Sequence, residues 1–354
     1  MCILLPGRLN KPVGGHKVIY QYSNYLADSG WDIIIANSVF LPSNENRWIE
    51  FLRKTYAIIR QIVRYFRKQN TCTGWFPLNK RVKEIAVWSY SACNMPKTDY
   101  YLASDAITAP YLLQYDVPED NKIYFIQGYE NWRLNDDQLK ATYHIPAKRI
   151  VISTWLQKIL INEGVSCELV PNGIDFREYF LSVPISEKDN KTVSMLYHTA
   201  PMKNVNLGFE ALNIVHQQIP DLKVLMFGVY SKPDDLPSWY NYYQCPDIQL
   251  HNAINNQAAI FIGTSDMEGW GLPILEAMAC GQAVACTDNK GYLEIAQHEE
   301  NALVSKVGDA ESLARNILTL ISNDDLRESL ALAGHNTAQH YSLSHSCKDF
   351  AECL

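Results

Sequence analysis

Two glutamates eight positions apart, Glu268 and Glu276, frame a glycine-rich turn within Gly263-Thr-Ser-Asp-Met-Glu-Gly-Trp-Gly-Leu-Pro-Ile-Leu-Glu-Ala-Met-Ala-Cys-Gly281. A carboxylate accepts hydrogen bonds from two neighbouring hydroxyls at once, which suits the vicinal diol of a sugar or a ribose. Gly269 and Gly271 let backbone pass close to a ligand without interference from a Cβ. Pro273 then opens a helix, where its missing N–H costs nothing. The free N–H groups and positive dipole end of that helix favour an anion such as phosphate. The stretch therefore offers one group for phosphate and two for sugar hydroxyls. A plain strand–loop–helix unit with solvated carboxylates is the alternative reading. It accounts for one glutamate near a helix start, but poorly for both glutamates, both glycines and the proline together.

The elements that must hold this turn are legible around it. Ala258 to Ile262 reads as a short buried strand, Pro273 to Cys280 as a compact helix stopped by Gly281, and Ala283 to Cys286 as another buried strand. Upstream, the strand Thr192 to Tyr197 leads through a loop holding Lys203 into an amphipathic helix, Leu207 to Ile219. Lys223 to Phe227 is a strand, and Gly228 opens a tyrosine-rich loop to about Cys245. Ala310 to Ser322 and Asp325 to Tyr341 read as terminal helices.

The first half begins with a βαβ unit: a strand at Ile3 to Pro6, Gly14-Gly15 in the turn, a helix over His16 to Ser29 and a strand over Trp31 to Ala36. It lacks G-x-G-x-x-G, which argues against a dinucleotide-dependent oxidoreductase. A helix is expected over Ala106 to Gln114, bounded at Pro110. The strand Lys122 to Ile126 ends at Gln127-Gly-Tyr-Glu130. Ligands in open α/β sheets bind beyond the carboxyl ends of strands, so Gln127, Tyr129 and Glu130 are candidates for an acceptor site. Glu130 reads either as a catalytic group or as a surface carboxylate capping a strand end. Pro171 and Gly173 fit a change of chain direction, and the polar run Ser182 to Lys191 fits a linker.

The E-x7-E spacing and the string E-G-W-G-L-P-I-L-E-A-M-A-C-G resemble the donor site of glycosyltransferase family 4. The likeness extends through Thr287-Asp-Asn-Lys-Gly-Tyr-Leu-Glu294, Glu300-Asn-Ala-Leu303 and the Val170-Pro-Asn-Gly-Ile-Asp175 crossover. The segment Lys122 to Trp132 is similar to a subgroup that makes bacterial surface polysaccharides. The resemblance implies an α/β fold of GT-B architecture, two Rossmann-like domains with a cleft between them. Residues 1–170 would form the acceptor side and 171–341 the nucleotide-sugar domain, with 342–354 returning to the first. It implies a retaining, metal-independent transferase with no cofactor beyond its nucleotide-sugar substrate. The acceptor would be a saccharide or lipid-linked. Donor contacts would come from Gly14, Gly15, Lys203, Glu268, Gly269, Gly271, Leu272, Pro273 and Glu276. Glu276 would hold the ribose, Glu268 the transferred sugar and Lys203 the diphosphate. Glu268, Lys203 and Glu130 are the catalytic candidates. The family's arginine beside that lysine has no counterpart in His198-Thr-Ala-Pro-Met-Lys203, where His198 or backbone N–H groups would substitute. Nor does a histidine follow the Lys122 strand.

Composition bounds the rest. The chain has 354 residues, 47% hydrophobic and 19% charged, which suits two domains that each bury a core. A net charge of −7 argues against general nucleic-acid binding. The nine cysteines include no C-x2-C pair, so neither a zinc site nor a disulfide framework is indicated. The N-terminus reads as a first strand rather than a signal peptide, and a reducing cytoplasm is the simplest location. There is no D-x-D motif, so the reading needs no metal. A sugar-nucleotide epimerase, a silent nucleotide-binding subunit and a phosphorylase remain as rival functions.

Residues 47–68 stand apart. Trp48, Phe51, Leu52, Tyr56, Ile59, Ile62, Val63 and Phe66 share one helical face, and seven basic residues accompany the single acid Glu50. Such a helix either packs on the sheet with its charges solvated or lies on an anionic membrane surface. If it docks, co-sedimentation with vesicles rises with anionic lipid and falls when Arg60 and Arg64 are reversed in charge. Each basic residue is worth about 1 kcal/mol there. Binding indifferent to both changes would rule docking out.

Overall fold

The computed structural model describes residues 1–7, 11–39, 55–56 and 74–354, so the basic stretch 47–68 lies outside the described residues apart from Thr55 and Tyr56. The chain divides into two compact units. One comprises residues 1–170 and 347–354, the other residues 171–346.

The strands of the first unit are β1 (Cys2–Leu5), β2 (Ile33–Ser38), β3 (Val82–Val87), β4 (Tyr101–Ala103), β5 (Lys122–Ile126), β6 (Lys148–Val151) and β7 (Glu168–Leu169). They form a parallel sheet in the order β3-β2-β1-β4-β5-β6-β7. Helices α1 (Gly14–Asp28), α2 (Asp136–Tyr143) and α3 (Thr154–Asn162) supply crossovers. A parallel sheet is covered on both faces, so its central strands are apolar throughout. Cys2 to Leu5 and Ile123 to Ile126 are accordingly buried. Leu4, Ile19, Tyr22, Leu26 and Phe125 lie in this core. Phe350, from the last helix, packs its ring 4.5 Å from Tyr22 and 5.4 Å from Phe125.

The second unit repeats the plan. Its strands are β8 (Asp189–Tyr197), β9 (Lys223–Gly228), β10 (Tyr240–Gln244), β11 (Ala258–Gly263), β12 (Ala283–Thr287) and β13 (Leu303–Ser305), in the parallel order β10-β9-β8-β11-β12-β13. The helices are α4 (Val205–Gln218), α5 (Ile248–Gln257), α6 (Leu272–Ala279), α7 (Ala310–Ser322) and α8 (Asp324–Ala338), followed by α9 (Leu343–Glu352). Val193, Met195, Leu212, Val224, Ile260, Ile262 and Ile317 belong to one buried cluster. In both sheets the strand order reverses beside the first strand, between β1 and β4 and between β8 and β11. Those reversals open the sheet edge where a doubly wound fold accepts ligands.

Three local expectations change. The helix expected over Ala106 to Gln114 is a 3-10 segment, Ala109–Gln114. Pro110 lies at its start and has no N–H for a longer ladder. The tyrosine-rich loop contains β10, an edge strand whose aromatic residues favour extended backbone, in register with β9 from Tyr240↔Val224 to Gln244↔Gly228. The run Ser182 to Lys191 is not a linker. The Ser182 N–H donates to Asn256 Oδ1 at 2.7 Å, and β8 begins at Asp189. Its polar groups have buried partners, which hydropathy does not reveal. Lys188 is the clearest case. Its ammonium donates to the carbonyls of Asn255 (3.1 Å), Ala258 (3.2 Å) and Cys280 (2.8 Å). It thereby closes the C-terminal ends of α5 and α6, where the helix dipole favours a cation. Burial lowers its pKa to about 8.

Lys188→Met keeps the stem and abandons those carbonyls. It is expected to cost roughly 2–3 kcal/mol and to lower the apparent Tm by about 5–10 °C in a calorimetric scan. An unchanged Tm would show that the ammonium only breaks even against its own desolvation.

Candidate functional site

In the second unit, the loop after β8 carries Lys203 and the loop after β11 carries Glu268, so both arise at the β8–β11 reversal. Lys203 Nζ donates to Glu268 Oε1 at 2.6 Å, and Ser265 Oγ donates to the same oxygen at 2.7 Å. The lysine and glutamate side chains are 22% and 11% exposed, so the pair is partly withdrawn from water without being sealed off. Further bonds fasten the loops together. Thr264 Oγ1 donates to the Lys203 carbonyl (2.8 Å), the Asp266 N–H to the Met202 carbonyl (2.8 Å), and Asn204 Nδ2 to Asp266 Oδ1 (2.8 Å).

His198 belongs to the same cluster. Its pKa is lowered by burial first and by the Lys203 charge second, against a smaller opposing pull from Glu268. The Ala200 N–H donates to His198 Nδ1 at 2.9 Å, so the neutral ring carries its proton on Nε2, 3.5 Å from Tyr230 Oη. His198 is therefore a neutral donor beside Lys203, not a second cation.

The α6 turn follows from its glycine. Gly271 has φ +122°, and a Cβ there would stand 2.8 Å from the Tyr292 ring. No side chain caps the helix start, and Pro273 lies in its first turn. Tyr292 is held in turn, its hydroxyl donating to Ser265 Oγ at 3.1 Å and its N–H to Asn289 Oδ1 at 3.0 Å. Asn289 Nδ2 and Thr287 Oγ1 both donate to the Ser265 carbonyl, at 2.9 and 2.6 Å. The Thr287–Glu294 string thus supports the loop carrying Glu268. Gly269 and buried Trp270 complete the turn. The indole Nε1 of Trp270 has no acceptor among the described residues. Glu276 lies one turn into α6, buried, and its charge, second to burial, raises the pKa of Tyr179.

In the first unit, Gly14 and Gly15 form the first turn of α1 rather than a free loop. Gln127 lies against Gly15, 3.4 Å from where a Cβ would stand, and its Oε1 is buried without a partner among the described residues. Burial first and the neighbouring Asp136 second raise the pKa of Tyr129. Glu130 is 7% exposed, so it is not the surface cap considered above. Its Oε2 accepts from the Ala106 N–H at 2.5 Å, and its carboxyl hydrogen-bonds that of Asp105. Both carboxyls are pushed above the usual range, first by burial and, for Glu130, next by Asp105. Two acids in hydrogen-bond contact share one proton. Arg133 Nε stands 4.0 Å from Asp105 Oδ2. His16, in the first turn of α1, is held near pKa 4 by burial and by Arg133, and its Nδ1 has no partner among the described residues. Asp105 and His16 were not singled out from the sequence. Their one signal was position, after β4 and after the Gly14-Gly15 pair at the β1–β4 reversal.

Residues 177–337 match the model of the family described as glycosyl transferases group 1. The chain is 24% identical over 204 residues to phosphatidyl-myo-inositol mannosyltransferase of Mycobacterium tuberculosis, covering 54% of this chain and 53% of that protein. It is 34% identical over 85 residues to O-antigen chain mannosyltransferase B of Escherichia coli, covering 24% and 22%. It thus matches about half the length, or less, of these curated relatives. Among solved structures it is similar to sucrose-phosphate synthase from Thermosynechococcus elongatus, with a TM-score of 0.74, 13% identity and coverage of 99% of this chain and 97% of that one. The corresponding values for Anabaena Alr3699/HepE in complex with UDP-glucose are 0.71, 16%, 99% and 98%. The fold is that of the GT-B glycosyltransferases, two parallel doubly wound sheets. No described helix is long and apolar enough to cross a membrane.

The acid pair yields a pH prediction. Glu130 has a folded pKa above its unfolded one, so its contribution to stability is complete at acid pH and is lost as pH rises through the folded value. Glu130→Gln keeps the acceptor for Ala106 and stays neutral. The decline in stability from about pH 5 to about pH 8 should therefore be shallower than in wild type, by about 1 kcal/mol or more. Urea midpoints across that range measure it, and parallel curves would contradict a shared proton.

Proposed function

We propose that this chain, whose residues 177–337 belong to the group 1 glycosyl transferases, moves a sugar from a nucleotide-sugar donor to a saccharide or lipid-linked acceptor in bacterial surface-glycan synthesis. One observation carries the reading. Lys203, Glu268 and the uncapped start of α6 converge at the β8–β11 reversal, inside the region the family model matches. The likeness to two mannosyltransferases and to a protein solved with UDP-glucose supports this donor class.

In this reading the donor diphosphate takes the positive end of α6 and the Lys203 ammonium. Glu276 accepts the two ribose hydroxyls, and Glu268 accepts hydroxyls of the transferred sugar. The bond between the anomeric carbon and the diphosphate oxygen breaks while the acceptor oxygen bonds to that carbon. Attack on the face the diphosphate leaves retains configuration without a covalent enzyme intermediate, and the acceptor proton passes to the departing diphosphate oxygen. Lys203 and the α6 amides stabilise the charge that develops there, without a metal. On the acceptor side Gln127 and Tyr129 bind hydroxyls. Glu130 acts through Asp105 and the Ala106 turn, because its carboxyl is already engaged. Residues 47–68 would dock the chain on an anionic membrane surface.

Labelled UDP-, GDP- and dTDP-sugars, incubated with and without membrane extract, separate this function from its rivals. Label should enter an acceptor only when extract is present. A free epimerised sugar nucleotide without acceptor would indicate an epimerase, and a requirement for inorganic phosphate a phosphorylase. Donor binding without turnover would indicate a silent subunit. Lys203→Ala should lower kcat/KM roughly 100-fold by removing leaving-group stabilisation. Glu276→Ala should raise the donor KM about 10-fold, the loss of hydrogen bonds to a charged group. Normal kinetics in either variant would refute its assigned role.

A further inference from the structure

We infer that Glu268 makes this site discriminate between the sugar-bearing donor and the bare nucleoside diphosphate that transfer leaves behind. The inference rests on the roles proposed for Lys203 and Glu268 and adds a task that neither performs alone. Lys203 Nζ and Ser265 Oγ both donate to one oxygen of Glu268, Oε1, at 2.6 and 2.7 Å. The other oxygen, Oε2, has no hydrogen-bond partner among the described residues. Ser265 Oγ is itself fixed, accepting from the Tyr292 hydroxyl at 3.1 Å. The Glu268 main chain is confined as well: a Cβ on Gly291 would stand 2.7 Å from that of Glu268.

The two partners differ in freedom. Glu268 has a short side chain anchored through Ser265, on a main chain packed against Gly291. Lys203 has a flexible four-carbon stem, and only one of the three protons on its ammonium has an acceptor among the described residues. An arriving diphosphate therefore draws the lysine toward itself and leaves the carboxylate in place. Two kinds of ligand then meet the same fixed charge. A bare diphosphate shares Lys203 with Glu268, sets a like charge beside a carboxylate only 11% exposed, and has no hydroxyl to offer it. Its free terminal phosphate also carries more negative charge than an esterified one. A sugar nucleotide draws on Lys203 in the same way but brings hydroxyls, which donate to the carboxylate and restore its hydrogen bonds. The fixed charge thus lowers affinity for the product more than for the substrate. It limits inhibition by accumulated diphosphate.

Calorimetric titration of UDP and GDP into the full chain tests this, in wild type, Glu268→Gln and Lys203→Met. Glu268→Gln should tighten UDP or GDP, whichever wild type binds more tightly, by roughly 5- to 20-fold, as expected when a like charge is removed. The sugar nucleotide that labels an acceptor in the transfer assay is titrated alongside. Its affinity should not rise, because lost hydrogen bonds to a charged acceptor offset the relief of repulsion. The preference for donor over diphosphate should therefore shrink by about 5-fold or more. Equal tightening of both ligands would make Glu268 only a counter-ion to Lys203 and overturn the inference, as would unchanged or weaker diphosphate binding. Should Glu268→Gln melt early, Ser265→Ala releases the carboxylate and keeps both charges. It should reduce the preference about 2- to 4-fold, and an unchanged preference there would overturn the inference. A separate outcome bears on the premise. If wild type binds neither diphosphate, or Lys203→Met binds as tightly as wild type, the donor-site reading falls and this inference with it.

Discussion

The ion pair between Lys203 and Glu268 is the constraint around which the second unit's site is arranged. It joins loops that leave neighbouring strands 65 residues apart in sequence, and only the reversal of strand order brings them together. Neither partner can be lost quietly, because each is mostly withdrawn from water and would leave the other uncompensated. The hydrogen bonds around it, Thr264 to the Lys203 carbonyl and Ser265 to Glu268, have geometric consequences. They set the depth at which Glu268 sits and hence the entry of the chain into Gly271. In the proposed reaction this pairing makes the empty site electrically quiet. A diphosphate competes with Glu268 for Lys203, and the carboxylate it displaces becomes available to sugar hydroxyls. Binding is then an exchange of partners rather than the creation of new charge contacts, so some of the attraction is spent on separating the pair.

The parts of this site that could be read from the sequence are those with local causes. Gly271 has a backbone conformation that favours glycine, Pro273 suits a first turn, and Gly281, at φ +71°, ends the helix. The strand runs around them are short, apolar and β-branched. Each statement needs only a few neighbouring residues. What could not be read needs partners far away in sequence. Tyr179 and His251 are 72 positions apart, and Lys188 reaches a carbonyl 92 positions on. Ser182 to Lys191 looked like a linker for this reason: its polarity is satisfied by atoms that local composition cannot supply. The glutamates fall between these cases. Their spacing, one on the loop and one on α6, was visible, but the engagement of Glu268 by Lys203 was not.

The same distinction separates the two units. In the second, the chemistry rests on backbone geometry, which leaves glycine and proline signatures. In the first it rests on buried side chains whose significance lies in their environment. Asp105 and Glu130 are ordinary acids in sequence and become one proton-sharing pair when burial and proximity act together. His16 looks like a helix residue and becomes a neutral imidazole because an arginine and a dry surrounding disfavour its charge. Residue type and position marked Gln127, Tyr129 and Glu130 as candidates, but showed neither the burial of Glu130 nor its neighbour Asp105.

The charge count at each reversal then follows. In the second unit Lys203 and Glu268 cancel and Glu276 adds one negative charge, while the free amides at the start of α6 supply a local partial positive charge that suits an anion. In the first unit the acid pair with its single proton carries one negative charge, Arg133 carries one positive charge, and His16 carries none. That cluster is balanced without a ligand, so a second phosphate would find no unspent cation in it. Neutral hydroxyls would find polar groups already oriented, with the Gln127 carbonyl and His16 Nδ1 lacking partners among the described residues. The sheet plan is used twice, but its two switch points differ in charge. In the proposed reading that difference assigns the phosphate-bearing donor to one unit and the hydroxyl-bearing face of the acceptor to the other.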